Sequence, residues 1–492
     1  MLLLSSRLAP RAPPPRLSAD GATWVESLGS GVKGAEAGAA YHNFFSSLAD
    51  DEAFAVQTWA QKPQLLKDIE GVAGSFTLQQ LEVAVESDFL DAGRGVPDID
   101  APGGWKMAPV SQPRGSSFED AKMRYIDVEE ALKQGTVVFN SAGASISPLG
   151  TMCLAAMDAF ELPLCLNLYV TARGTSTSAP PHTDKQDVFV LQSCGAKRWR
   201  VFEPPAPAAK PNADPLARGK AHDSLEMSEL GEPLLDCVLS PGQVLYVPAG
   251  FPHTTDTVNT AEAGEAAGED SVHLTIGIDT HIWGMNYASL RAGALGRASL
   301  PDSLNVQTLP KDKYWQVMGI PRSLGFLRRH GAGDDHATAD VAAELVRVMR
   351  LAEPKRWDAE VSDEEVAREL GAEEIAQQLE QHRQRIYDVQ RAMYLDAALD
   401  RLPPGPPGAP RVSLFRVQEH MAKLEAAMEE HVNWYGKEAA ARAVAAAKAS
   451  AGPAAATKPK KAGSKVTTAA VGGFGGGGGA KGGGKGKKKK KR

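Results

Sequence analysis

Between Leu164 and Asp279 the chain reads as short apolar runs, LCLNLYVT, DVFVLQSC, KRWRVFEP, GQVLYVPA and SVHLTIGI, broken by clusters of Gly, Pro, Ser and Asn. Runs of that length, rich in β-branched and aromatic residues and bounded by turn formers, predict a sandwich or barrel of short strands over about residues 160–285. On either side the period changes to that of a helix. Residues 23–160 predict a mixed, mostly helical lead-in, with Phe44 and Phe45 opening an apolar patch and Leu78, Leu81 and Val85 at helical intervals. After Trp283 two further helical stripes follow, Val341, Leu345, Val348 and Leu351, then Ile375, Leu379, Ile386 and Val389. The expected class is α+β.

The same pattern divides the chain. Residues 1–22, rich in Pro and Arg, predict a disordered N-terminus; residues 23–285 form the β-containing domain; residues 286–402 form a helical region. PPGPPGAP at 403–410 reads as a linker, residues 411–450 as a last helical segment, and residues 451–492 as a disordered Gly- and Lys-rich tail. The apolar stripe containing Ile375 and Ile386 has to be covered by something, and a second copy of the chain would do it.

Charge sharpens this picture because it is uneven. Residues 451–492 hold eleven Lys and one Arg without an acid, which leaves 42 basic against 60 acidic residues in the first 450. A basic tail on an acidic body confines electrostatic affinity for RNA to the tail. KGKKKKKR also reads as a nuclear or nucleolar address, while the N-terminal MLLLSSRLAPRAPPPR leaves an organelle transit segment as the alternative. No run reaches the roughly 18 consecutive apolar residues a spanning helix needs, so no membrane partner is expected. The four cysteines form no CxxC pair, which argues against a thiolate zinc site or a disulfide framework and favours a reducing compartment.

Candidate chemistry lies in PPHTDKQDVFVLQ, where His182 and Asp184 are two residues apart. At the start of a strand such a pair shares one face, so both side chains can address one ion while Thr183 points away. A third ligand is expected from His253, where VLYVPAGFPH runs from a strand into a Pro-Ala-Gly turn. Two imidazoles and a carboxylate leave three coordination positions of a six-coordinate Fe(II) open. Zinc accepts the same donors, so ligand type alone does not select the metal.

The block NLYVTARGTSTSAPPHTDKQDVFVLQSCGAKRWRVFEPP resembles the core of the JmjC oxygenases, closest to their ribosomal oxygenase branch, and the stretch from Gly242 to His253 is similar to that family's second strand-and-turn block. With WAQKPQLLKD upstream, the resemblance covers roughly residues 40–285. It implies a double-stranded β-helix of the cupin type binding Fe(II) through His182, Asp184 and His253, with 2-oxoglutarate as cosubstrate and dioxygen as oxidant. It also implies that Lys197 receives the distal carboxylate of 2-oxoglutarate. Asn167 and Thr275 would line the cosubstrate site, Tyr169 would line the substrate pocket, and a helical segment after the barrel would dimerise. The family carries a second acid after the metal aspartate; Lys185 and Gln186 stand here, which is expected to change the charge at the mouth of the site.

By the same resemblance the substrate is a protein side chain, a ribosomal-protein histidine or a histone methyl-lysine. Three other functions stay open on the sequence: an oxygenase acting on transfer RNA, a non-catalytic cupin module docking on ribosomes or chromatin, and a zinc hydrolase or isomerase on the same barrel. AEAGEAAGED, between His253 and the closing strand, is expected to be a mobile loop.

Overall fold

A computed structural model describes residues 20–86 except 68, 124–205 except 134, 225–330, 340–401, residue 216 and four positions within 422–426. Residues 1–19, the 403–410 linker, the tail and nearly all of the last helical segment named above lie outside the described residues, whereas residues 21 and 22, assigned above to the disordered N-terminus, open a helix capped by Asp20.

Among the described residues, ten strands form two antiparallel sheets. They are β1 (Gln64–Leu66), β2 (Thr136–Phe139), β3 (Leu164–Thr171), β4 (Ala179–His182), β5 (Asp187–Cys194), β6 (Lys197–Val201), β7 (Leu235–Leu239), β8 (Val244–Val247), β9 (His253–Asp256) and β10 (Ser271–Ile278). The larger sheet runs β1-β8-β5-β10-β3-β2 and the smaller β4-β9-β6-β7. All five apolar runs recognised in the sequence are strands, and the fold is the cupin fold expected.

Alternation along the strands separates two environments. On β5, Val188 and Val190 pack with Trp199, Val201 and Leu239 of the smaller sheet, closing the barrel interior. Phe189 and Leu191 face the other way, into the helical layer. Each side chain of that strand but half-buried Cys194 is buried on one side or the other, which explains why it reads as a continuous apolar run. Strand β10 divides similarly: Leu274 and Ile276 enter the helical core, whereas His273 and Thr275 alternate with them.

The helical layer comprises α1 (Gly21–Leu28), α2 (Ala35–Asp50), α3 (Leu78–Glu86), α4 (Tyr125–Leu132), α5 (Ser147–Phe160), α6 (Tyr287–Arg297), α7 (Lys311–Met318), α8 (Val341–Ala352), α9 (Asp363–Leu370) and α10 (Ala372–Ala398). The boundary between α9 and α10 illustrates the local causes. The Ser362 side chain caps α9 by accepting from the Glu365 N–H, and Gly371, at φ 63°, supplies the left-handed turn that separates α9 from α10.

Helix α10 packs against α5 and α8. A Cβ on Gly150 of α5 would come within 2.9 Å of Ala397 Cβ and 3.0 Å of the Tyr394 carbonyl oxygen, so the bare backbone of α5 lets α10 approach. A polar pin accompanies the packing. Asp158 on α5 accepts from Trp24 Nε1, Tyr387 OH and both Arg391 Nε and Nη2, joining α1, α5 and α10 through one carboxylate. The Arg391 guanidinium and the two neutral donors overcome burial and hold the Asp158 carboxyl below the usual carboxylate range.

This packing corrects one premise. Ile375, Leu379 and Ile386 are fully buried within the chain's own core, so their stripe supplies no reason for a second copy. The 3.6-residue period identified an apolar face but could not say which surface covers it. The stretch AEAGEAAGED also differs from the loop expected, because Ala261–Gly268 forms short 3-10 turns broken at Gly264, φ 61° and ψ −126°.

Candidate metal centre

Strands β4 and β9 are antiparallel neighbours whose register places His182 directly opposite His253. Their ring centroids are 4.2 Å apart, and His253 Nε2 lies 3.5 Å from Asp184 Oδ2. One donor atom from each of His182, Asp184 and His253 falls within 4.8 Å of the other two, a separation a single ion can bridge. Cross-strand pairing brings together residues 71 positions apart in sequence.

Backbone contacts fix the donors. His182 Nδ1 lies 2.7 Å from the Pro180 carbonyl oxygen and His253 Nδ1 3.0 Å from that of Phe251. A carbonyl only accepts, so each Nδ1 carries the proton and each Nε2 keeps its lone pair, the tautomer a metal ligand requires. The Gly250 N–H donates to the Asp184 carbonyl at 2.8 Å, tying the turn before His253 to the segment after His182. Both imidazoles are buried and the Asp184 side chain is a quarter exposed. A neutral, pre-oriented imidazole pair beside an accessible carboxylate suits a divalent first-row ion, Fe(II) included.

The location of the motif differs from expectation in one respect. His182 ends β4, and Asp184 lies in the connection to β5, so the pair does not occupy the start of a strand. The turn supplies the convergence assigned to strand alternation.

One cavity joins this triad to several sequence-predicted residues. Tyr169, Lys197 and Thr275 line it together with His182, Asp184 and His253. Lys197 is buried and its ammonium donates to Thr171 Oγ1 at 2.8 Å. Asn167 sits opposite Thr275 across the β3–β10 pair, yet its amide oxygen accepts from the Ser141 N–H at 3.0 Å and the residue is not part of the cavity lining. Arg198 and Arg200 alternate with Lys197 and pair with Asp236 and Asp256.

Three hydroxyl-bearing residues are among the cavity residues missed in the sequence. Thr136, Ser178 and Thr255 bring hydroxyls to its wall, and short hydroxylic residues carry no periodic signal that distinguishes a site from a turn. Trp199, two residues from Lys197 on the same strand, also lines the cavity and was not singled out in the sequence. Its ring stacks on His253 at 5.6 Å, and His273 stacks on Tyr169 at 4.8 Å, forming an aromatic wall beside the donors. His273 is not part of the donor cluster; His253 is.

Behind the site the Lys185–Gln186 departure has a structural explanation at Gln186. That amide is buried and donates to Asp279 Oδ1 and to Cys165 Sγ, so it does not face the mouth. Next to it, Asp187 Oδ1 accepts from Tyr246 OH at 2.7 Å and from the Ala249 N–H at 3.3 Å. Burial outweighs both donors and pushes the carboxyl up to about 6.

A carboxyl raised in the folded state contributes stability that is fully present below its unfolded pKa, near 4, and is lost as pH rises through about 6. At about 1.4 kcal/mol per unit, the ionised carboxylate costs on the order of 3 kcal/mol at neutral pH. Asp187→Asn keeps Oδ1 as acceptor and removes the charge. The variant is expected to gain urea resistance over wild type as pH rises from 4.5 to 7. A difference that stays constant across that range would exclude Asp187 as the cause.

Residues 151–284 match the family model described as "JmjC domain". The chain carries a JmjC domain. It encloses the donor triad, Lys197 and the whole of β3 to β10. The JmjC-containing chain is 34% identical over 158 residues to "Ribosomal oxygenase 1" of Danio rerio, covering 32% of this chain and 26% of that protein. It is 31% identical over 173 residues to "Bifunctional lysine-specific demethylase and histidyl-hydroxylase NO66" of Drosophila melanogaster, covering 33% and 24%. Against "Ribosomal oxygenase 2" of Rattus norvegicus it is 30% identical over 254 residues, covering 49% of each chain. The match thus spans half or less of these relatives.

Proposed function

We propose that the JmjC domain is an Fe(II)- and 2-oxoglutarate-dependent dioxygenase that hydroxylates a protein side chain, a ribosomal-protein histidine being the favoured target. The observation that carries this reading is a three-donor metal set in the same cavity as a buried lysine. Three protein ligands leave room for a bidentate oxoacid and dioxygen, and a lysine ammonium lining the same cavity is placed to receive the distal carboxylate of 2-oxoglutarate. A purely structural barrel requires neither.

Bound iron would supply the redox centre at which dioxygen oxidises cosubstrate and substrate, with succinate and carbon dioxide as coproducts. The chain's residues do the holding. His182, Asp184 and His253 present one coordination face, Lys197 fixes the far end of the cosubstrate, and Val188, Val190 and Trp199 exclude water beside it. Tyr169 and Thr275 on the facing strands border the space left for a side chain.

The names of the zebrafish and fruit-fly relatives favour a ribosomal-protein histidine. Hydroxylating an N-methyl group would release it, so a histone methyl-lysine is the second candidate, favoured by the demethylase half of the fruit-fly name. Mass spectrometry of ribosomal proteins from cells with and without this protein is expected to show one histidine losing an oxygen when the protein is absent. Unchanged histidines together with increased histone methylation would transfer the assignment to the second target.

Residues 451–492, with eleven Lys and one Arg and no acid, support a nuclear or nucleolar placement and salt-sensitive attraction to RNA. Deleting them is expected to abolish nuclear enrichment of a fluorescent fusion and leave 2-oxoglutarate turnover unchanged. Confinement of the full-length protein to an organelle would overturn the placement.

A further inference from the structure

The turn that delivers His253 has few ways to hold itself in place. Residues 248–252 read Pro-Ala-Gly-Phe-Pro, and a proline carries no N–H, so only Ala249, Gly250 and Phe251 can donate from the backbone. Phe251 closes the turn on the Pro248 carbonyl at 3.2 Å. Gly250, at φ 80°, directs its N–H to the Asp184 carbonyl at 2.8 Å. The Ala249 N–H goes to a side chain, donating to Asp187 Oδ1 at 3.3 Å. In the other direction the Phe251 carbonyl accepts from His253 Nδ1 at 3.0 Å. Two of the three metal donors therefore take their placement from this turn, Asp184 through the Gly250 N–H and His253 through the Phe251 carbonyl.

Asp187 is itself held firmly. It is fully buried at the first position of β5, and the same Oδ1 accepts from Tyr246 OH at 2.7 Å. Tyr246 lies on β8, accepts from the Ala60 N–H at 2.8 Å and stacks on Trp59 at 5.6 Å. Strands β5 and β8 are paired neighbours, with Val188 opposite Val247, so the carboxyl stands on the larger sheet. An apolar side chain would be buried there at lower cost unless an acceptor were needed. Asp187 belongs neither to the donor cluster nor to the cavity lining, so its acceptor serves the turn rather than a ligand.

We propose that Asp187 is a positioning residue of the metal centre, its side-chain oxygen tying the 248–252 turn to the β5–β8 pair and so setting the separation of the Asp184 and His253 donors. It touches neither metal nor substrate and acts through Ala249. Tyr246 steadies the carboxyl, which makes the lead-in segment around Trp59 and Ala60 part of the same support. The proposal rests on the metal-centre reading above and deepens it.

Calorimetry of the full chain with Mn(II) alone tests this without turnover. Asp187→Ala, which removes the acceptor, is expected to weaken Mn(II) roughly tenfold or more, as loss of an outer partner of a metal ligand does. Asp187→Asn keeps Oδ1 and should bind Mn(II) as wild type does. Leu379→Ala, a cavity variant in the helical core, loses stability to urea and should keep wild-type Mn(II) affinity. Unchanged affinity in folded Asp187→Ala overturns the proposal, as does an equal loss in Asp187→Asn or in Leu379→Ala. If Asp187→Ala does not fold, Tyr246→Phe takes its place: it leaves the carboxyl with one donor fewer and is expected to weaken Mn(II) about threefold. Unchanged affinity there overturns the proposal equally. A wild type that takes up no Mn(II) overturns the metal-centre reading itself and this role with it.

Discussion

Replacing His182 or Asp184 by alanine is expected to eliminate 2-oxoglutarate turnover and to weaken metal binding by at least about a hundredfold. Loss of an outer partner of a metal ligand already costs roughly ten- to a hundredfold, and loss of the ligand itself costs more. His182 cannot be replaced from nearby, because its lone pair is oriented by the Pro180 carbonyl and its position by pairing with His253. Asp184 brings the only negative charge of the donor set. Trp199, stacked on His253, gives a direct readout, since Mn(II) should quench its fluorescence in wild type and leave it unaffected in either variant. Wild-type turnover and quenching in the double variant would remove these residues from the centre.

The second large effect belongs to Lys197. Lys197→Ala is expected to raise the KM for 2-oxoglutarate roughly tenfold or more while metal affinity stays near wild type. A charge-assisted hydrogen bond shielded from water contributes about 1.5–3 kcal/mol, and each 1.4 kcal/mol is tenfold. The lysine is buried, with Thr171 as one partner, so its ammonium meets the carboxylate at little competition from solvent. The split between the two constants distinguishes an anchor from a structural prop. If metal affinity fell while the KM held, Lys197 would be supporting the donor triad instead.

Much of this centre was legible because the chain encodes it in short-range patterns. The HxD spacing, the lysine fifteen residues after His182, and the histidine after a Pro-Ala-Gly turn all survive as sequence signals. Partners set by tertiary contact did not. The resemblance implies that Asn167 lines the cosubstrate site, but its amide oxygen accepts from the backbone of Ser141, a residue held at φ 54°. Ile375 and Ile386 read as a stripe in need of a cover, and the chain's own core buries them. Thr136 lies 46 residues before His182 and joins the site because β2 pairs with β3.

The pairing of β4 with β9 rests on two matched positions, Ala179 with Thr255 and His182 with His253, with an irregularity between them. Strand β4 is also an outer strand of its sheet. A metal ion gripping His182 and His253 would therefore act as a removable rivet across this short seam, locking the register as well as equipping the centre. Because a one-residue slip would turn His182 away from its partner, occupancy of the centre reports that the strands have closed in the correct alignment. The metal-loaded protein should accordingly melt at a higher temperature, by an amount that grows with free metal concentration.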